Sequence, residues 1–133
     1  MLEKKYPVTM AGIEQAATDL DVTLADVPAP VKAAVMVAAD EIFANIVRHS
    51  NASFWSLRVD RMHAPEGVRL VFEDDGAEFD PLKMDDPDIS LSVDQRPVGG
   101  LGIFIVKKTM CPVVYERKDG KNVFSMTKSF ERT

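Results

Sequence analysis

Apolar and polar positions alternate between two periods along this chain, and the changes of period mark its elements. Lys4 to Thr9 predicts a short first strand, followed by a helical pattern from Ile13 through Ala16, Ala17 and Leu20 that ends near Pro28-Ala29-Pro30. From Val31 to about Ser50, Val35, Ala39, Ile42, Phe43 and Ile46 fall on one face of a long helix led by Pro30, and that face is predicted to be core. Ala52 to His63 predicts a strand through Phe54, Trp55, Leu57 and Val59, with Trp55 packing in the core or at an edge. After a turn at Pro65-Glu66-Gly67, Val68 to Asp74 predicts a more buried strand, and the two together suggest an antiparallel hairpin. Leu101 to Met110 predicts a short apolar helix stopped by Pro112, and Val113 to Arg117 and Val123 to Phe130 flank an Asp119-Gly120 hairpin turn. About five strands and three helices make an α+β chain, expected as a two-layer sandwich with a mainly antiparallel sheet.

Residues 77 to 98 break this rhythm, with Pro81, Pro87 and Pro97 among Asp80, Asp85, Asp86, Asp88 and Asp94. Loops beyond about 12–15 residues in a compact domain are usually functional or mobile. The Asp85-Asp86-Pro87-Asp88 run reads as solvated loop.

Composition narrows the class. A chain of 133 residues fits one domain spanning 1–133, and 46% hydrophobic with 28% charged residues is ordinary for a globular fold. Acidic residues outnumber basic ones 21 to 16, which argues against a nucleic-acid partner. No run reaches the length of a signal peptide or a membrane helix, and the one cysteine, Cys111, is expected as a buried structural thiol in a cytoplasmic protein.

Three polar or glycine interruptions of the apolar pattern carry the candidate chemistry. Glu41 and Asn45 are i and i+4 on the long helix, beside Ala34 and Ala38 and a turn before Arg48 and His49. Asn offers a neutral oxygen to a hard cation and Glu can accept a proton; simple solvation on an amphipathic helix explains the pair as well. Asp74-Asp75-Gly76 closes the buried strand, where Asp74 could accept from an amino group and Gly76 could let a flat base approach, although a β-turn accounts for Asp-Gly too. Gly99-Gly100-Leu101-Gly102-Ile103 opens a helix whose free N–H groups suit phosphate, with a flexible helix start as the plainer explanation. Ile105 stands where a dinucleotide fingerprint needs its third glycine, and no Gly-Lys-Ser/Thr exists for a P-loop. His49 is expected to be packed or capping rather than a ligand, and His63 has no Cys or His cluster for zinc.

In this order and spacing, Glu41-Ile42-Phe43-Ala44-Asn45, Asp74-Asp75-Gly76 and Gly99-Gly100-Leu101-Gly102 resemble the N box and the two glycine boxes of the GHKL superfamily. That superfamily holds gyrase, heat-shock chaperones, mismatch-repair proteins and histidine kinases. Phe79-Asp80-Pro81 and Gly99 to Ile103 resemble its small anti-sigma serine-kinase branch in particular, and the likeness covers roughly residues 31 to 130. It implies a Bergerat ATP-binding fold. Asn45 would hold magnesium on the ATP phosphates, Glu41 would be the general base, Asp74 would hold the adenine amino group and Gly76 would lie along the base. Gly99 would open the phosphate cradle of Gly100, Leu101 and Gly102, and residues 82 to 98 would form the ATP lid. The implied function is an ATP- and magnesium-dependent anti-sigma factor that phosphorylates a serine of a STAS-domain anti-anti-sigma partner. A sigma factor and a second copy of the chain are further candidate partners. A nucleotide-sensing module that switches partners without turnover is the alternative. Gly120-Lys121-Asn122 stands where many relatives have a Gly-Thr pair that helps hold adenine through water, which makes Asn122 a candidate for that role.

Overall fold

Residues 2–49, 51–83 and 101–131 are described by a computed structural model, with the side chain of Leu101 left out. Five strands form one antiparallel sheet: β1 (Leu2–Tyr6), β2 (Trp55–His63), β3 (Glu66–Asp74), β4 (Val113–Lys118) and β5 (Lys121–Ser129), in the order β1-β2-β3-β5-β4. Among the described residues three α-helices, α1 (Met10–Thr23), α2 (Ala29–His49) and α3 (Leu101–Thr109), complete an α+β sandwich. The expected fold class is the observed one. Among the described residues no helix is long and apolar enough to cross a membrane.

Element boundaries differ from the sequence pattern where side chains cap the backbone. The first strand stops at Tyr6 because Thr9 takes extended backbone and its hydroxyl accepts from the Gly12 N–H at 3.0 Å, which starts α1 three residues before Ile13. In α2 the start moves to Ala29, since Pro30 lies in the first turn, where its missing N–H costs nothing. Val35, Ala39, Ile42, Phe43 and Ile46 are buried, as their spacing predicts. Ala38 and Asn45 are buried too, which makes the covered face wider than the apolar stripe. The β4–β5 turn has the expected chemistry: Asp119 (φ 51°) and Gly120 (φ 76°) both sit in the left-handed region, the twist that suits a tight hairpin.

Strand alternation then sorts the sheet's side chains. Tyr6, Trp55, Leu57, Val59, Val68, Leu70, Phe72, Phe124 and Met126 are buried, while Glu3, Lys5, Arg58 and Arg69 between them are exposed. Trp55 sits fully buried against Tyr6 and Phe43, at centroid distances of 4.9 and 5.1 Å, and its indole N–H donates to the Pro7 carbonyl. Burying such side chains is the main drive for folding, at about 25 cal/mol per Å² of apolar surface.

Cys111 corrects an expectation. It is exposed rather than buried, because α3 ends at Thr109, Met110 takes the last covered position, and the Cys111 N–H donates to the Thr127 carbonyl to start the turn into β4.

Candidate functional site

The register of the sheet builds one end of a pocket. Asp74 pairs with Asn122 and Asn122 with Arg117; two residues away, Phe72 pairs with Phe124 and Phe124 with Tyr115. Residues two apart in a strand share a face, so an aromatic rung and a polar rung lie side by side. Against them packs α2, whose Ile42, Asn45 and Ile46 form the opposite wall. With Phe79 and Pro81 these residues enclose a cavity of about 370 Å³ counting the space open to solvent. Its walls are mostly apolar, with a few convergent polar groups, as expected of a small-molecule site. His49 stacks on Phe79 at 4.6 Å while the residue itself stays exposed.

Asp74 is buried, 5% exposed, and burial raises its carboxyl above the usual range, with hydrogen bonds from Asn122 and Gly76 pulling the other way. Its Oδ1 accepts from the Gly76 N–H and from Asn122 Nδ2, both at 3.0 Å. Among the described residues Oδ2 takes no hydrogen bond, so one carboxylate oxygen is left for the cavity. Asp75, one residue on, turns the other way: it accepts from the Ser53 and Phe54 N–H groups and the Ser53 hydroxyl, clipping the start of β2.

At the cavity's other end Asn45 is also 5% exposed. Arg48 Nη2 donates to Asn45 Oδ1 at 2.9 Å and lies 3.6 Å from Glu41 Oε1. A guanidinium only donates, so this contact fixes which amide atom is oxygen and leaves Nδ2 buried without a partner among the described residues. Glu41 lies a turn earlier and lines a neighbouring groove with Val37, Asp40, Gly102 and Ile105. Burial raises the Glu41 carboxyl, and Arg48 and His49 lower it to a smaller extent. Gly102 leaves room for this side chain: a Cβ on it would stand 2.1 Å from Glu41 Oε2 and push the carboxylate aside. Glu41 is thus wedged between a cation and the first turn of α3.

The structure therefore gathers Glu41, Asn45 and Gly102 on one side and Asp74 and Gly76 on the other, with Asn45 and Asp74 sharing the cavity. Gly99, Gly100 and the Leu101 side chain lie outside the described residues, as does the predicted lid beyond Lys83; its first residues, Leu82 and Lys83, belong to a short 3₁₀ turn, Pro81–Lys83. Tyr115 and Arg117 were not singled out by sequence, although their i, i+2 spacing puts them on one face. The Gly-Thr-like role of Asn122 needs revision, because its carboxamide is fully engaged: Nδ2 donates to Asp74 Oδ1 and, at 2.8 Å, to the Ala77 carbonyl, while Oδ1 accepts from the Phe79 N–H, Tyr115 and Arg117.

As a test of fit for a metal, Asn45 offers one neutral oxygen, which here accepts from Arg48, while its buried, unpartnered amide nitrogen is a donor suited to an anionic group such as a phosphate rather than to the cation itself. Among the described residues no group of three His, Cys, Asp or Glu is placed to hold a metal ion. One side-chain oxygen plus phosphate oxygens and waters is how magnesium is usually held with a nucleotide, so the donor set fits that ion.

An open antiparallel sheet under three helices, with an acidic group at a strand end and a Glu/Asn pair on the facing helix, defines a nucleotide-binding class. The chain belongs to the Histidine kinase-like ATPase domain family, whose match runs over residues 5–128. It is 32% identical over 97 residues to Serine/threonine-protein kinase BtrW of Bordetella bronchiseptica. That match covers 68% of this chain and 66% of the relative, slightly under two thirds of the relative's length. ATP is the ligand that membership of an ATPase domain family implies.

Proposed function

We propose that this chain is an ATP- and magnesium-dependent protein-serine kinase that regulates a sigma factor by phosphorylating a STAS-domain partner. The observation that carries the catalytic part is Glu41, held by Arg48 on one oxygen and backed by Gly102 on the other, one turn from Asn45. The name of the related kinase supports the same reaction class.

In this reading Asp74 Oδ2 accepts from the adenine amino group, Gly76 lies along the base, and Phe72, Phe79 and Phe124 give it apolar walls. Asn45 Oδ1 would hold magnesium. The metal, when bound, neutralises charge on the phosphate oxygens. Glu41, its proton affinity raised by burial, accepts the proton of the partner's serine hydroxyl as the serine oxygen bonds to the γ-phosphorus and the bond to ADP breaks. Arg48 must release Asn45 Oδ1 for the metal, which also frees one Glu41 oxygen.

The test is transfer of labelled γ-phosphate to serine of a STAS-domain protein. Glu41→Gln is expected to lower transfer by about 10²–10⁴-fold, the usual range for a lost general base, with ATP affinity within about threefold of the parent. Unchanged transfer by the variant would remove Glu41 from the mechanism. ATP-dependent partner binding with no transfer from the parent chain would favour the sensing module.

A further inference from the structure

Asn122 is a candidate by sequence for touching the base through water, yet none of its side-chain polar atoms is spare. A carboxamide has two N–H donors and two acceptor lone pairs. Both donors are used, on Asp74 Oδ1 at 3.0 Å and the Ala77 carbonyl at 2.8 Å. Its oxygen is met by the Phe79 N–H at 3.1 Å, the Tyr115 hydroxyl at 2.5 Å and Arg117 Nη1 at 3.2 Å. The backbone N–H and the guanidinium can only donate, so they fix the oxygen on their side and turn the NH₂ towards Asp74. Arg117 Nη1 also donates to the Gly76 carbonyl at 2.8 Å, and the Gly76 N–H donates to the same Asp74 Oδ1 that Asn122 meets. Hydrogen-bond direction thus runs one way, from Arg117 through Asn122 to Asp74.

We propose that Asn122 is a positioning residue that sets nucleobase selectivity: it holds Asp74 Oδ1 from behind, so that Oδ2 alone faces the cavity, as an acceptor. An exocyclic amino group such as that of adenine satisfies Oδ2; a 6-oxo base such as hypoxanthine sets its own acceptor against it and leaves that carboxylate oxygen without a donor. This proposal rests on the reading of the cavity as an ATP pocket. Two facts support it: the Asn122 hydrogen bond is the largest influence opposing burial at Asp74, and residues 76, 77 and 79 are tied to the same carboxamide or its Arg117 partner.

The experiment compares binding of Mg-ATP and Mg-ITP by calorimetry to the parent, Asn122→Asp, Asn122→Leu and Met126→Ala. Asn122→Asp keeps the shape and the acceptor oxygen but loses both donors and sets a second carboxylate beside Asp74. Met126→Ala loosens the fully buried core on the same strand and controls for a merely structural effect. The parent is expected to prefer ATP over ITP by about 10- to 100-fold, the discrimination given by a buried polar group left unpaired. Asn122→Asp and Asn122→Leu are expected to bring that ratio to within about threefold of unity, chiefly by weakening ATP, whereas Met126→Ala lowers the melting temperature and keeps the parental ratio. Should Asn122→Leu fail to fold, the aspartate variant decides. A parental ratio in the Asn122 variants, or a parent that binds ATP and ITP equally well, overturns the proposal and leaves the pocket intact. A parent that binds neither nucleotide overturns the pocket reading itself, and this proposal with it.

Discussion

Asn45 Nδ2 is buried with no hydrogen-bond partner among the described residues, an arrangement that costs about 1–3 kcal/mol. Asn45→Leu removes that cost and is expected to raise the unfolding free energy by about 1 kcal/mol in urea titration, while abolishing the dependence of ATP binding on magnesium. Loss of stability with unchanged magnesium dependence would contradict both halves. Glu41 and Asp74 are linked to pH in the same sense. Burial raises both carboxyls above ordinary values of 4.5 and 3.8, so the folded chain holds their protons more tightly than the unfolded chain does. Stability from these two groups is therefore present at low pH and lost as pH rises through the raised folded values. A Glu41→Gln, Asp74→Asn double variant is expected to be more resistant to urea than the parent at pH 7, with the difference vanishing below about pH 4. Asp74→Asn alone should also weaken ATP binding by about 10- to 100-fold, since it turns an acceptor facing the amino group into a donor.

At the scale of elements, two glycines distinguish a contact that serves the fold from one that serves the site. A Cβ at Gly12 would lie 2.0 Å from the Pro7 carbonyl oxygen, and at Gly102 it would lie 2.1 Å from Glu41 Oε2. Backbone cannot yield as a side chain can. Gly12→Ala is expected to lower the melting temperature by several degrees, in line with about 1–3 kcal/mol for overpacking, whereas Gly102→Ala should melt near the parent and lose phosphotransfer as Glu41 is pushed aside. These elements were legible to different degrees. The core face of α2 follows directly from 3.6-residue periodicity, and Glu41 and Asn45 stand out because polar residues interrupt a helix rich in alanine. Caps were harder to read: Thr9 and Pro30 move helix starts by two or three residues through a single hydroxyl or a missing N–H. Cys111 misled because its apolar neighbours describe α3, which ends before it.

For the whole molecule, what sequence pattern could not supply is the sheet order. Asp74 was recognisable at its strand end, but nothing local says that Asn122 and Arg117 pair beside it, because β5 enters between β3 and β4. The Arg117–Asn122–Asp74 chain is a product of that register alone. The order of the strands also bears on when the site comes into being. As the polypeptide leaves the ribosome from its amino end, β1 to β4 and the three described helices emerge before the strand that carries Asn122 and Phe124. Until β5 arrives, Asp74 lacks the neighbour that orients it and the cavity lacks a wall. On the proposed reading of this cavity as the ATP pocket, nucleotide can stabilise only molecules in which β5 has already joined the sheet.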